Sequence, residues 1–187
     1  MYRLQRFAWT AGALALVLGV VSGCEDSVTG PPPSPLETFR APISAVVGSG
    51  SGQVSVTPRP MPDGTFAAHI KVVVRATPNT TYLVQRAPEL GRALGSDGVC
   101  QRALRLPPWS ASDTPIVPAF VTFPLPATGP LTTLTTTSFG TGALDFEFVS
   151  GISLAANTRF DVMFRLADDD AAPSTELASA CFTVESK

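Results

Sequence analysis

The sequence predicts an all-β domain, an antiparallel β-sandwich, on three observations. The segment TFAAHIKVVVRA, residues 65 to 76, alternates along its length with a period of two, the repeat of a strand with one wet face. Similar short runs recur along the chain with Gly, Pro and Asn between them. Helix-length periodic segments are nearly absent. Together these give about eight or nine short strands, and an antiparallel sandwich is the arrangement that buries one face of each.

The beginning of the chain has a different character. Arg3 and Arg6 place positive charge at the start, and Phe7 to Val21 is almost wholly apolar. That run is about fifteen residues, short of the roughly 20 a membrane span needs. Charged, apolar and small residues in this order describe a secretory signal peptide. Val21-Ser22-Gly23-Cys24 ends it and resembles the lipobox of bacterial lipoproteins. The resemblance implies cleavage before Cys24, diacylation of its sulfur with palmitate-type chains, and often acylation of the new amino terminus. It thereby implies a lipid anchor in a bacterial cell envelope, facing the periplasm or the cell exterior. A single acyl chain binds a membrane marginally, whereas two or three hold firmly. The alternative is an ordinary signal with Cys24 left as a free or paired thiol. PPPSP at 31 to 35 then makes a tether, because the fixed φ of proline favours polyproline II, about 3.1 Å per residue. The chain divides into a signal over 1–23, the lipidated cysteine and tether over 24–38, and the sandwich over 39–187.

The sandwich strands follow in order. Ile43 to Val47 is the first, QVSVTP the second, and MPDG the turn before the long strand at 65. In that strand Phe66, Ala68, Ile70, Val72 and Val74 share one face. Ala67, His69, Lys71, Val73 and Arg75 share the other. TTYLVQRA comes next, then IVPAFVTF, which Pro118 confines to an edge. LTTLTTT, ALDFEFV, FDVMFRL and ACFTVES complete the set. Leu144, Phe146 and Phe148 face in while Asp145 and Glu147 face out; Phe160, Val162, Phe164 and Leu166 form another inner face.

Ala76 to Tyr82, ATPNTTY, is similar to the L-x-P-G-T-x-Y stretch of fibronectin type III domains. The resemblance implies an immunoglobulin-like sandwich and a tyrosine corner, the Tyr82 hydroxyl bonding back to upstream backbone. Ala76 stands where that family has leucine, and Asn79 where it has glycine; Asn tolerates the left-handed conformation that glycine supplies. The stretch falls early in the domain rather than late, which departs from fibronectin topology. Asn157-Thr158-x-Phe160-x-Val162 repeats Asn79-Thr80-x-Tyr82-x-Val84, as two turns of one kind would.

Composition excludes some functions. The formal charge of −2 falls to about −4 once Arg3 and Arg6 leave with the signal, and no basic patch for nucleic acid appears. Cys100 and Cys181 remain as a pair, and an oxidising compartment makes a disulfide their simplest account. The alternative, a zinc site, lacks further ligands nearby. His69 is the sole histidine, and no G-x-S-x-G elbow accompanies it. Asp145 and Glu147 are spaced as a glycosidase pair could be, and equally as alternating charge on a wet sheet face. Asp168, Asp169 and Asp170 offer clustered oxygens for calcium, or a solvated turn. LRLPPWSASDTP, residues 104 to 115, puts Trp109 behind two prolines, with Arg102 and Arg105 close by. Rigid aromatics near arginine suit a binding surface; a tryptophan capping the sandwich would look the same.

The expectation is therefore a lipid-anchored envelope protein carrying a non-catalytic binding or structural module without a cofactor. Its partners would be the membrane, through the anchor, and a protein or glycan of the envelope. The alternative is a carbohydrate-binding or accessory module of an envelope hydrolase, or a weak glycosidase, with Asp145, Glu147 or His69 in a concave site.

Overall fold

The computed structural model describes residues 36–91, 94–107, 119–124 and 130–187. Among these, ten strands and one short helix form: β1 Phe39–Val47, β2 Ser51–Arg59, β3 Thr65–Arg75, β4 Thr81–Pro88, α1 Gln101–Leu104, β5 Val121–Thr122, β6 Thr133–Thr135, β7 Thr141–Ser153, β8 Arg159–Ala167, β9 Glu176–Ser179 and β10 Phe182–Glu185. The fold is all-β, antiparallel and sandwich-like, with both layers taken from one curled sheet. Its order is β5-β4-β8-β9-β1-β2-β3-β7, with β6 also on β4 and β10 also on β8.

The curl follows from where the apolar residues fall. Ala68, Ile70, Val72 and Val74 of β3 are buried, while Lys71, Val73 and Arg75 are exposed. Phe160, Val162, Phe164 and Leu166 of β8 are buried likewise. A flat sheet would leave both rows wet, at about 1.5–3 kcal/mol for each large side chain. Folding the sheet over lets them meet. Phe66 of β3 reaches Phe160 of β8 edge-on at 5.4 Å. Phe123, just past β5, sits edge-on to Phe146 and Phe148 of β7 at 5.2 and 5.1 Å. One layer is thus β1, β2, β3 and β7; the other is β4, β8 and β9 with their short partners.

The turns use left-handed residues where expected. Asn79 has φ 51° and Asn157 φ 62°, so the repeated Asn-Thr turns are conformational equivalents. The tyrosine corner is corrected. Tyr82 is fully buried, but its hydroxyl has no hydrogen-bond partner among the described residues, so the bond to upstream backbone does not form. Gly140, at φ 74°, is required: a Cβ there would lie 2.3 Å from the carbonyl oxygen of Ala76.

Two elements were not expected. ELAS has too little alternation to announce a strand, yet as β9 it pairs with β8 on one side and β1 on the other. The helix α1 begins after Cys100, whose disulfide to Cys181 fixes it beside the β9–β10 corner. Of IVPAFVTF only Val121 and Thr122 form a strand, at the end of the sheet order; residues 116–118 lie outside the described set.

Candidate functional site, an apolar cavity with a buried arginine

In β4 the period of two puts Tyr82, Val84 and Arg86 on the inner face. The first two are core residues; the third is a cation in the same row. Arg86 is 7 % exposed, and its guanidinium carbon stands 4.0 Å from the Phe123 ring centroid and 4.2 Å from that of Phe148. Each ring attracts the guanidinium through its quadrupole, by about 0.5–2 kcal/mol. Its Nη1 donates to the carbonyl oxygen of Thr122 at 3.0 Å. Among the described residues it makes no ion pair and no other side-chain hydrogen bond. Arginine is almost never buried unless paired. Burial, reinforced by the nearby Arg102 cation, pushes its pKa down to about 10.

Arg165 shows what the same side chain does outside. Gln85 and Arg165 face each other across β4 and β8, one residue from the Arg86–Phe164 pair and so on the opposite face. There Arg165 forks onto Glu176 at 3.0 and 3.2 Å and reaches Asp170 at 3.1 Å. Among the described residues the outer cation has two carboxylates and the inner one has none.

Arg86 lines a cavity of about 320 Å³ between the layers, at the end where β2 finishes and β3 begins. Val56, Phe66, Phe148, Phe160, Val162 and Val184 supply apolar wall, Leu90 and Ile152 more, and Ser150 and Gly151 lie on β7 at its margin. Among the described residues, the only charge in the lining is Arg86. An apolar pocket of a few hundred Å³ with one or two polar groups is the usual form of a small-ligand site.

The residues singled out from sequence lie elsewhere. Cys24 and Trp109 are outside the described residues. Arg102 is buried, not on a surface: its backbone N–H donates to the Glu89 carboxylate and its Nη1 to the Pro88 carbonyl. Arg105 is exposed at the end of α1, with φ 55°. Cys100 and Cys181 are joined. His69 and Asp145 are brought together, Nε2 to Oδ1, and Glu147 bridges Arg59 at 3.3 Å. All four stand on the outer face of β2, β3 and β7, and the cavity contains none of them. That face also holds an open depression lined by exposed Arg40, Lys71 and Arg75.

The three aspartates after β8 diverge. Asp168 accepts the N–H groups of Ser174 and Thr175 at 2.9 and 3.1 Å, and the Ser174 hydroxyl. Asp169 accepts those of Ala171 and Ala172 at 2.8 and 2.9 Å. Asp170 faces Gln85 and Arg165. Those bonds hold the Asp168 and Asp169 carboxyls below the usual range: Ser174 hydroxyl first for one, Ala172 N–H first for the other. Among the described residues no group of three metal-ligating side chains converges.

Sequence reasoning passed over Arg86 and Asp161. Arg86 could have been found by counting twos from Tyr82. Asp161 is fully buried on β8, accepting Gly98 N–H at 2.7 Å and the Thr183 hydroxyl at 2.6 Å. It holds the 94–100 segment down, a non-local role with no local signature. No family model matches the chain, nor does any curated protein or solved structure.

Proposed function

We propose that this chain is a lipid-anchored protein of a bacterial cell envelope whose β domain is a non-catalytic module binding a small apolar ligand between its layers. The lipobox-like VSGC at 21–24 and the proline-rich stretch after it support the anchor and tether. The observation that carries the binding reading is the cavity at Arg86: apolar wall, one buried cation, and no carboxylate on it among the described residues. Leaving a charge half-served inside a fold costs stability, and a partner that completes it recovers that cost. The catalytic alternative receives no such support, since His69, Asp145 and Glu147 sit on a solvated face away from the cavity.

The test is a neutral apolar fluorophore whose emission rises on leaving water. Wild-type protein should raise it saturably. Ser150→Phe, which places a ring at the cavity margin, should abolish the rise while thermal unfolding stays cooperative. A wild-type protein that leaves the fluorophore dark overturns the cavity as a ligand site. The anchor is tested separately, by labelling with an acyl-chain precursor that Cys24→Ala should eliminate.

A further inference from the structure

We propose that the cavity takes a single-tailed carboxylate of medium chain length, its head on the free edge of the Arg86 guanidinium and its tail along the apolar wall. The inference rests on the binding reading above and adds the chemistry of the ligand.

Four observations lead there. First, the Phe123 and Phe148 rings stand nearly perpendicular to each other, their centroids 5.1 Å apart, and close off two adjoining sides of the guanidinium, leaving its other N–H groups to a ligand. A planar carboxylate approaching edge-on forms two parallel N–H···O bonds, the strongest geometry this side chain offers. Second, a guanidinium has five N–H donors, and Thr122 takes one. The rest have no acceptor among the described residues, in a cavity whose other lining is nearly all carbon. Third, the size is bounded. At the roughly 30 Å³ that one small group occupies in a liquid, 320 Å³ holds about ten non-hydrogen atoms, the size of octanoate. Fourth, the cavity lies at the end of the sandwich where the chain enters the domain. Phe39, first residue of β1, pairs with Val56 of the cavity wall.

The fixed-field asymmetry makes the choice of head group sharp. Arg86 is the one charged side chain among the described lining residues. A cationic amphiphile of the same tail is therefore rejected, and a neutral one gains from the wall alone.

The experiment is displacement of the neutral fluorophore by octanoate, octanol, octylammonium and octyl phosphate, on the full chain carrying Cys24→Ala so that no detergent is needed. Octanoate should displace at about tenfold lower concentration than octanol, the fold-change of one charge-assisted hydrogen-bond pair. Octylammonium should be weakest. Arg86→Gln should bring octanoate and octanol to the same midpoint while the fluorophore still binds, and Arg86→Lys should restore part of the preference. Equal midpoints for octanoate and octanol in the wild type, or a preference that survives Arg86→Gln, overturns the proposal. Octyl phosphate outcompeting octanoate overturns the carboxylate in favour of a lipid phosphate head. If the wild type binds no fluorophore, the binding reading itself has failed. If Arg86→Gln does not fold, the octanoate-to-octanol ratio in the wild type still decides.

Discussion

Tyr82 and Arg86 occupy inward positions on the same strand, two turns of the pleat apart, and each carries a polar group into an apolar layer. The tyrosine is the simpler case. A buried hydroxyl without a partner costs about 1–3 kcal/mol, and its removal without loss of volume recovers part of that. Tyr82→Phe should raise the urea midpoint, by about 1 kcal/mol at constant slope. A fall instead would restore the tyrosine corner that the fibronectin resemblance implied. Asp168 shows the opposite economy, an exposed carboxylate fully used. Its pKa is held below the ordinary 3.8, first by the Ser174 hydroxyl and then by the Thr175 N–H. A depressed carboxyl stabilises above its unfolded value and loses that contribution as pH falls through the lower folded value. The turn from Asp168 to Thr175 should therefore stay closed at neutral pH and open only in acid. A pH titration of the Ser174 and Thr175 amide resonances should give a midpoint below 3.8; a midpoint at or above it would mean the turn is not held by this carboxylate.

At the scale of elements, the segment between β4 and α1 depends on distant strands. Glu89 donates its backbone N–H to the Asp161 carbonyl at 2.8 Å, and Asp161 accepts Gly98 N–H. The helix beyond is four residues, far too short to stand alone. The disulfide Cys100–Cys181 supplies the covalent tie, spanning a separation of 81 residues. Cutting so long a loop raises the entropy of the unfolded chain considerably, and loss of such a bridge costs about 2–5 kcal/mol. Cys181→Ala should lower the unfolding free energy by that amount, and reduction of the wild type should reproduce the loss. An unchanged midpoint would mean that Asp161 and Glu89 hold the segment unaided.

At the scale of the whole molecule, what was legible in the sequence was what depends on near neighbours. Ile70, Val72 and Val74 announced their face because strand burial repeats every two residues, and the same rule set Phe146 inside and Glu147 outside. Asn79 and Asn157 announced their turns because left-handed backbone favours few residue types. β9 was silent because Leu177 and Ala178 are adjacent, both apolar and both buried, which breaks the alternation, and because the strands on its two sides, β8 and β1, come from opposite ends of the domain. Asp161 was passed over because nothing local reveals the segment lying over it. Arg102 was read into a binding loop for want of the same signal, and Arg86 was passed over although its register with Tyr82 and Val84 was in plain view. The cavity depends on where the two layers part, which is a property of the curl and of no single strand.

β1 is the first strand of the domain and yet lies in the interior of the sheet, bonded to β2 on one side and β9 on the other. A pull on the amino-terminal end of the domain would enter at Phe39 and run along this strand. An edge strand under such a pull would peel away one bond at a time. Here two ladders must slide together before the strand is released. Force applied there would load both ladders at once, at the end of the sandwich where Phe39 pairs with Val56 of the cavity wall.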